Sequence, residues 1–193
     1  MKIFDYIKLI SEEEIARRYF IMNSFDGALT ILGVLVGMYT AGVSDARVVI
    51  IACLGAAVAM AVSGIWGAYA TERAERMREL KRLGQYMLKN LEETRIGRAA
   101  EKMSFIIAFV DGMSPLLVSL LLVTPFLASH LGMLPIDAAY YSSAAMVMII
   151  LFLLGVIVGK IGKNSVIKSG LRMVLAGVLV GLIVIALDLM QFV

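Results

Sequence analysis

Apolar positions in this chain come in long blocks rather than short periods, and the blocks set the architecture. Five stand out, over residues 25–41, 48–70, 103–128, 141–158 and 171–189. Each is long enough to cross the ~30 Å hydrocarbon core of a bilayer as a helix. A lone segment crosses only in that form, because no water is present to satisfy its backbone N–H and C=O groups. Ahead of the first block, Ser11 and Glu14 make an S-x-x-E capping box, and Ile15, Tyr19, Phe20 and Met22 follow at helical spacing. That pattern predicts a short amphipathic helix at the membrane surface, feeding the first span. Between the second and third blocks, residues 72–102 hold nine Lys/Arg and six Glu, while Met77, Leu80, Leu83, Met87, Leu88 and Leu91 recur at three- and four-residue steps. This stretch is predicted to be helical and partly packed. The fold class is therefore an all-α integral membrane protein with five transmembrane helices and a short cytoplasmic helical insert between the second and third. Its parts are an amphipathic N-terminal helix over 1–24, two spans over 25–70, the charged cytoplasmic segment over 71–102 and three spans over 103–193.

Charge turns this pattern into a topology. Only 17% of the residues are charged and 61% are hydrophobic, with a mean hydropathy of +0.90, whereas soluble domains carry about a quarter charged residues. Lys2, Lys8, Arg17 and Arg18 precede the first span, nine Lys/Arg separate the second from the third, and Lys160, Lys163, Lys168 and Arg172 lie between or just inside the last two. Seventeen of the eighteen basic residues thus fall on one side, leaving Arg47 on the other. The positive-inside rule then places the N-terminus in the cytoplasm and the C-terminus outside a multi-pass cell-membrane protein. Five spans satisfy that distribution; four or six do not. The sequence pI near 9.0 is read as topology, not nucleic-acid binding, and no nucleic-acid motif is present. Cys53 sits in an apolar run and reads as a small buried hydrophobe. Residues 1–18 are amphipathic and mixed in charge, without the apolar core of a signal peptide.

Small residues supply packing surfaces. Gly33/Gly37, Gly155/Gly159 and Gly177/Gly181 are each G-x-x-x-G, and Gly55, Ala59, Ser63 and Gly67 form a ladder at four-residue spacing. Such faces let helix backbones approach closely, either within one bundle or across a dimer seam.

Candidate chemistry rests on few residues. Asp26 in F-D-G-A-L-T and Asp111 in V-D-G-M-S-P lie inside apolar spans, where an ionised carboxylate costs at least about 2.5 kcal/mol. The shared D-G step reads either as a weak parallel repeat or as chance. Pro115 has no N–H to donate to the carbonyl of Asp111. Asp111 therefore offers a side chain and a freed main-chain oxygen as hard ligands to a cation, or else caps a neighbour at a kink. Met60, midway along the second span, is a candidate soft thioether ligand for Fe²⁺. His130 and Asp188 read as interfacial polar groups. In the charged segment, Glu72, Glu75 and Glu79 share one helix face, and Glu92, Glu93 and Glu101 follow. Facing carboxylates build metal sites in bundles, but interleaved Arg and Lys also make ordinary salt pairs. Glu12, Glu13 and Glu14 either join such a site or favour a helix start. There is no H-E-x-x-H, G-x-S-x-G, Walker A loop or G-x-G-x-x-G, so no enzyme activity is expected.

In order, A-R-R-Y-F-I-M-N-S-F-D-G-A-L-T (16–30) resembles the opening of the vacuolar iron transporter family, and V-S-G-I-W-G-A-Y-A (62–70), continuing to R-E-L (78–80), resembles its second span. The resemblance implies a divergent prokaryotic exporter of Fe²⁺ or Mn²⁺. It also implies proton coupling and a homodimer with a pore between subunits, no permanently bound cofactor, and membrane lipid, metal ions and protons as partners. Asp26 matches the family's pore aspartate. Tyr19, Gly64 and Ala56 stand where the family has an aspartate, the pore methionine and a glutamate; Met60 and Asp111 are the replacements at hand. The competing readings are a membrane-embedded, metal-dependent enzyme acting on lipid head groups, and a non-transporting assembly protein.

Overall fold

The computed structural model describes residues 3–88 and 90–190, with side chains from Glu13 onward. The side chains of Lys2, Lys8, Ser11, Glu12 and Lys89, which entered the reading above, lie outside that set. The described residues form five helices and no strand: α1 Ile3–Thr40, α2 Ala46–Met87, α3 Arg95–His130, α4 Ile136–Ile161 and α5 Val166–Leu189. All five are long and apolar enough to cross a membrane. The helix α1 runs through Ser11 without a break, so the S-x-x-E pattern is not a helix start there. The amphipathic stretch and the first span are one element, because no breaker separates residues 11–24 from the apolar run. The charged segment over 71–102 is likewise the end of α2, a short turn and the beginning of α3.

Helix ends follow local chemistry. The first ends in a Schellman motif: Val43 N–H donates to Met38 O at 3.0 Å and Gly42 N–H to Tyr39 O at 3.1 Å, with Gly42 at φ +71°. The third ends the same way, with Met133 N–H on Ala128 O at 3.0 Å, Gly132 N–H on Ser129 O at 2.9 Å and Gly132 at φ +74°. Glycine takes the left-handed conformation without a Cβ penalty. Pro135, extended at φ −61°, ψ 147°, then starts α4 where its missing N–H costs nothing.

Contacts divide the chain into two compact units, Met1–Asn23 with Met60–Ser114, and Ser24–Ala59 with Pro115–Val193. The second unit holds the main apolar core, in which Ile31, Leu32, Val49, Cys53, Leu122, Phe126, Val147 and Leu151 are buried. Its helices meet through glycine. A Cβ on Gly27 would stand 2.8 Å from Pro115 Cα, and one on Gly155 would stand 2.6 Å from Gly170 Cα on α5. Ser143 Oγ also donates to Leu122 O at 2.6 Å, tying α4 to α3. Tyr140 Oη donates to Val43 O at 2.9 Å and its ring stacks edge-on against Phe126, so α4 closes the turn between α1 and α2.

In the first unit, Leu80, Leu91 and Ala100 form a small core with Met77 beside it. Leu83, Met87 and Leu88, predicted on the same face, are exposed. The helix stops at Met87 and Leu88 turns to φ 51°, which ends the periodicity that the spacing assumed. The ladder Gly55, Ala59, Ser63 and Gly67 faces outward, and nothing lies within 4 Å of a Cβ built on Gly55 or Gly67. By contrast, Gly155/Gly159 is an internal α4–α5 seam. Gly155→Ala is expected to lower thermal stability in detergent by roughly 1–3 kcal/mol through overpacking. Gly181→Ala, with no neighbour within 4 Å of its Cβ, is expected to leave the melting temperature unchanged.

Candidate ion site

Tyr19 and Asn23 stand one turn apart on α1, a spacing that sets both on one face. That face meets α2 and α3 within the first unit. Tyr19 Oη donates to Glu72 Oε1 at 3.1 Å, and Arg76 Nε, one turn along α2, donates to Glu72 Oε2 at 3.4 Å. Asn23 Nδ2 donates to the Asp111 carboxylate, and also to Tyr19 O at 3.0 Å. Asp111 is 6% exposed and Glu72 9% exposed; they are the buried carboxylates among the described residues. A buried charge is tolerated only when other groups meet it, and here α1 supplies a phenol and an amide while α2 supplies a guanidinium.

Glycines make the room. The Cβ of a residue 64 other than glycine would stand 3.0 Å from Asp111 Oδ2 and 2.9 Å from Gly112 Cα. A Cβ on Gly112 would overlap Ala61 O and stand 2.5 Å from Ile65 Cγ1. The helices α2 and α3 therefore cross backbone to backbone at Gly64 and Gly112, and the Asp111 carboxylate lies against Gly64. Two residues beyond Gly112, Ser114 Oγ donates to Val110 O, so this part of α3 carries a local side-chain bond just before Pro115.

The other candidates are placed differently. Asp26, in the second unit, is exposed on the surface of its chain, although the adjoining Gly27 packs against Pro115. The two D-G steps thus share a glycine at a helix crossing and differ in where the aspartate goes. Met60 is half-buried. Glu101 pairs with Arg73 at 3.3 Å and Glu92 with Lys81 at 3.7 Å; Glu93 is exposed. Glu75 and Glu79 line a groove of about 810 Å³ with Arg78, Lys81 and Arg82, so three cations accompany two carboxylates there. Among the described residues of one chain, no three His, Cys, Asp or Glu side chains gather closely enough to hold a metal. His130, Glu13 and Glu14 are exposed, and Asp188 is half-buried. In the second unit the hydroxyl of Ser24, also buried, has no hydrogen-bond partner.

Sequence reasoning missed Asn23 and Arg76. Their signal was present: Tyr19/Asn23 and Glu72/Arg76 are polar pairs at i, i+4 beside apolar runs. Asn23→Leu is expected to cost about 1.5–3 kcal/mol, the usual value of a hydrogen bond to a charged group, read as a lower unfolding midpoint in detergent.

A family model described as the VIT family matches residues 77–187, which include Asp111. An uncharacterised protein of Methanocaldococcus jannaschii is 35% identical over 173 residues, covering 88% of this chain and 87% of that one.

Proposed function

The chain belongs to the VIT family of membrane ion transporters, and from that premise we propose that it exports a divalent transition metal, Fe²⁺ or Mn²⁺, from the cytoplasm in exchange for protons. The observation that carries the reading is Asp111: a carboxylate 6% exposed inside an apolar helix, held by Asn23 and given room by Gly64. A bundle with no cargo has no use for a charge that costs at least about 2.5 kcal/mol to insert. In this reading Asp111 and Asp26 bind the ion with hard oxygens, Met60 offers a softer contact, and the exposed Glu75, Glu79, Glu92, Glu93 and Glu101 collect metal at the cytoplasmic face. The charge distribution supports a cytoplasmic N-terminus and an outer C-terminus in the cell membrane.

The functional unit in this proposal is a homodimer. Asp26 is exposed on one chain, an unfavourable position against lipid that a second subunit relieves. The outward ladder of Gly55, Ala59, Ser63 and Gly67 suits close helix contact between copies. Replacing Ala59 with Trp is expected to convert dimer to monomer in detergent, read by size-exclusion chromatography with light scattering.

The transport test is metal-dependent proton flux in proteoliposomes. Asp26→Ala and Asp111→Ala are expected to abolish Fe²⁺ and Mn²⁺ flux while the protein still inserts. Wild-type flux in both variants would remove these residues from the ion path.

A further inference from the structure

One outward face of α3 changes character where the third apolar block begins. Arg98, Lys102, Phe105 and Phe109 follow one another at steps of four, three and four, which stacks them in a single stripe. All four are exposed. The two cations stand at the charged end of the helix, and the two phenyl rings lie deeper in the apolar run. At the helical rise, Phe109 lies about 10 Å beyond Lys102 along the axis.

Beside this stripe, Tyr69 of α2 and Glu101, Lys102, Phe105 and Ile106 of α3 line a groove of about 330 Å³. Its charges do not cancel. Glu101 is paired with Arg73 of α2 at 3.3 Å, whereas Arg98 and Lys102 have no ion pair among the described residues. The groove therefore has uncompensated positive charge at one end and an apolar wall at the other. Lys102 adjoins the apolar block that starts at residue 103, so the cations sit at head-group depth and the rings at acyl depth. Tyr69 adds a phenol, which donates to an oxyanion.

A bilayer supplies a molecule with the same order of chemistry, an oxyanion above and a hydrocarbon chain below. Basic pockets between membrane helices bind anionic head groups in this way. A zwitterionic head group is a poorer match, because it brings a cation of its own toward Arg98 and Lys102. We propose that the α2–α3 groove binds an anionic phospholipid in the leaflet that meets the charged helix ends. Lys102 and Arg98 hold its phosphate, and an acyl chain lies along Phe105, Ile106 and Phe109. The site uses neither Asp111 nor Glu72 and is independent of the transported ion.

The chain carries its own reporter. Trp66, its one tryptophan, is 78% exposed and one turn before Tyr69 on α2. The test reconstitutes the full chain in phosphatidylcholine vesicles and follows quenching of Trp66 by brominated phosphatidylglycerol or brominated phosphatidylcholine. Wild type is expected to favour the anionic lipid. Arg98→Gln/Lys102→Gln is expected to lower that preference roughly thirtyfold, about fivefold for each cation. Lys102→Arg is expected to keep it. Arg78→Gln/Arg82→Gln removes the same charge farther along α2 from the apolar block and is expected to keep it as well. Melting temperatures equal to wild type verify that the variants fold. Equal loss in the two double variants overturns the proposal, since diffuse surface charge then explains the preference. Equal quenching of wild type by both lipids overturns it too, and so does an unchanged preference in Arg98→Gln/Lys102→Gln. Absence of quenching by either lipid means that a second copy covers this face, which also overturns it.

Discussion

A carboxylate in a low-dielectric interior must have its charge met by groups that are already in place. Asp111 and Glu72 impose that condition on the first unit, and the surrounding sequence answers it. Asn23 meets Asp111, while Tyr19 and Arg76 meet Glu72. Those contacts require α2 and α3 to cross at backbone distance, which Gly64 and Gly112 permit. A side chain at position 64 would occupy the space beside the Asp111 carboxylate. Where the family resemblance leads one to expect a thioether, the space beside Gly64 is taken by a carboxylate oxygen of the neighbouring helix.

The second unit obeys a different constraint. Lipid tails are as apolar as leucine, so helices there gain little from burying apolar surface and much from close packing and interhelical hydrogen bonds. Gly155 and Gly170 bring α4 and α5 together, Gly27 meets Pro115, and Ser143 spends its hydroxyl on Leu122 O. Tyr39 and Tyr141 likewise join α1 to α4 through their hydroxyls. Tyr140 is the same device at the α1–α2 turn, where a phenol closes a loop carbonyl.

Several features were legible from residue order because their physics is local. A run of apolar residues long enough for the bilayer has one stable form, so the five spans and their order follow from the chain directly. The first apolar block stops at residue 41, and α1 does end there in a glycine-dependent cap. Where local signals competed, the reading went astray. Ser11 and Glu14 have capping-box spacing, yet nothing before them stops a helix, and α1 passes through. Leu83, Met87 and Leu88 continue a packed periodicity on paper, but α2 ends at Met87 and the chain turns.

What the sequence determined by itself is the membrane architecture, the number of spans and the short inventory of charges within them, since each depends on composition over a window. Which small residues pack inside one chain and which face out was decided by tertiary structure. Gly155/Gly159 and the ladder beginning at Gly55 look alike as strings, but only the first meets a helix of its own chain. The same holds for the two D-G steps. Their glycines both sit at crossings, while Asp111 turns inward and Asp26 outward, because the direction of a side chain depends on which neighbour a helix presents it to. The α1 partners of Asp111 and Glu72 lie 88 and 53 residues away. No local pattern names a partner at that separation, since it exists only once the helices have packed.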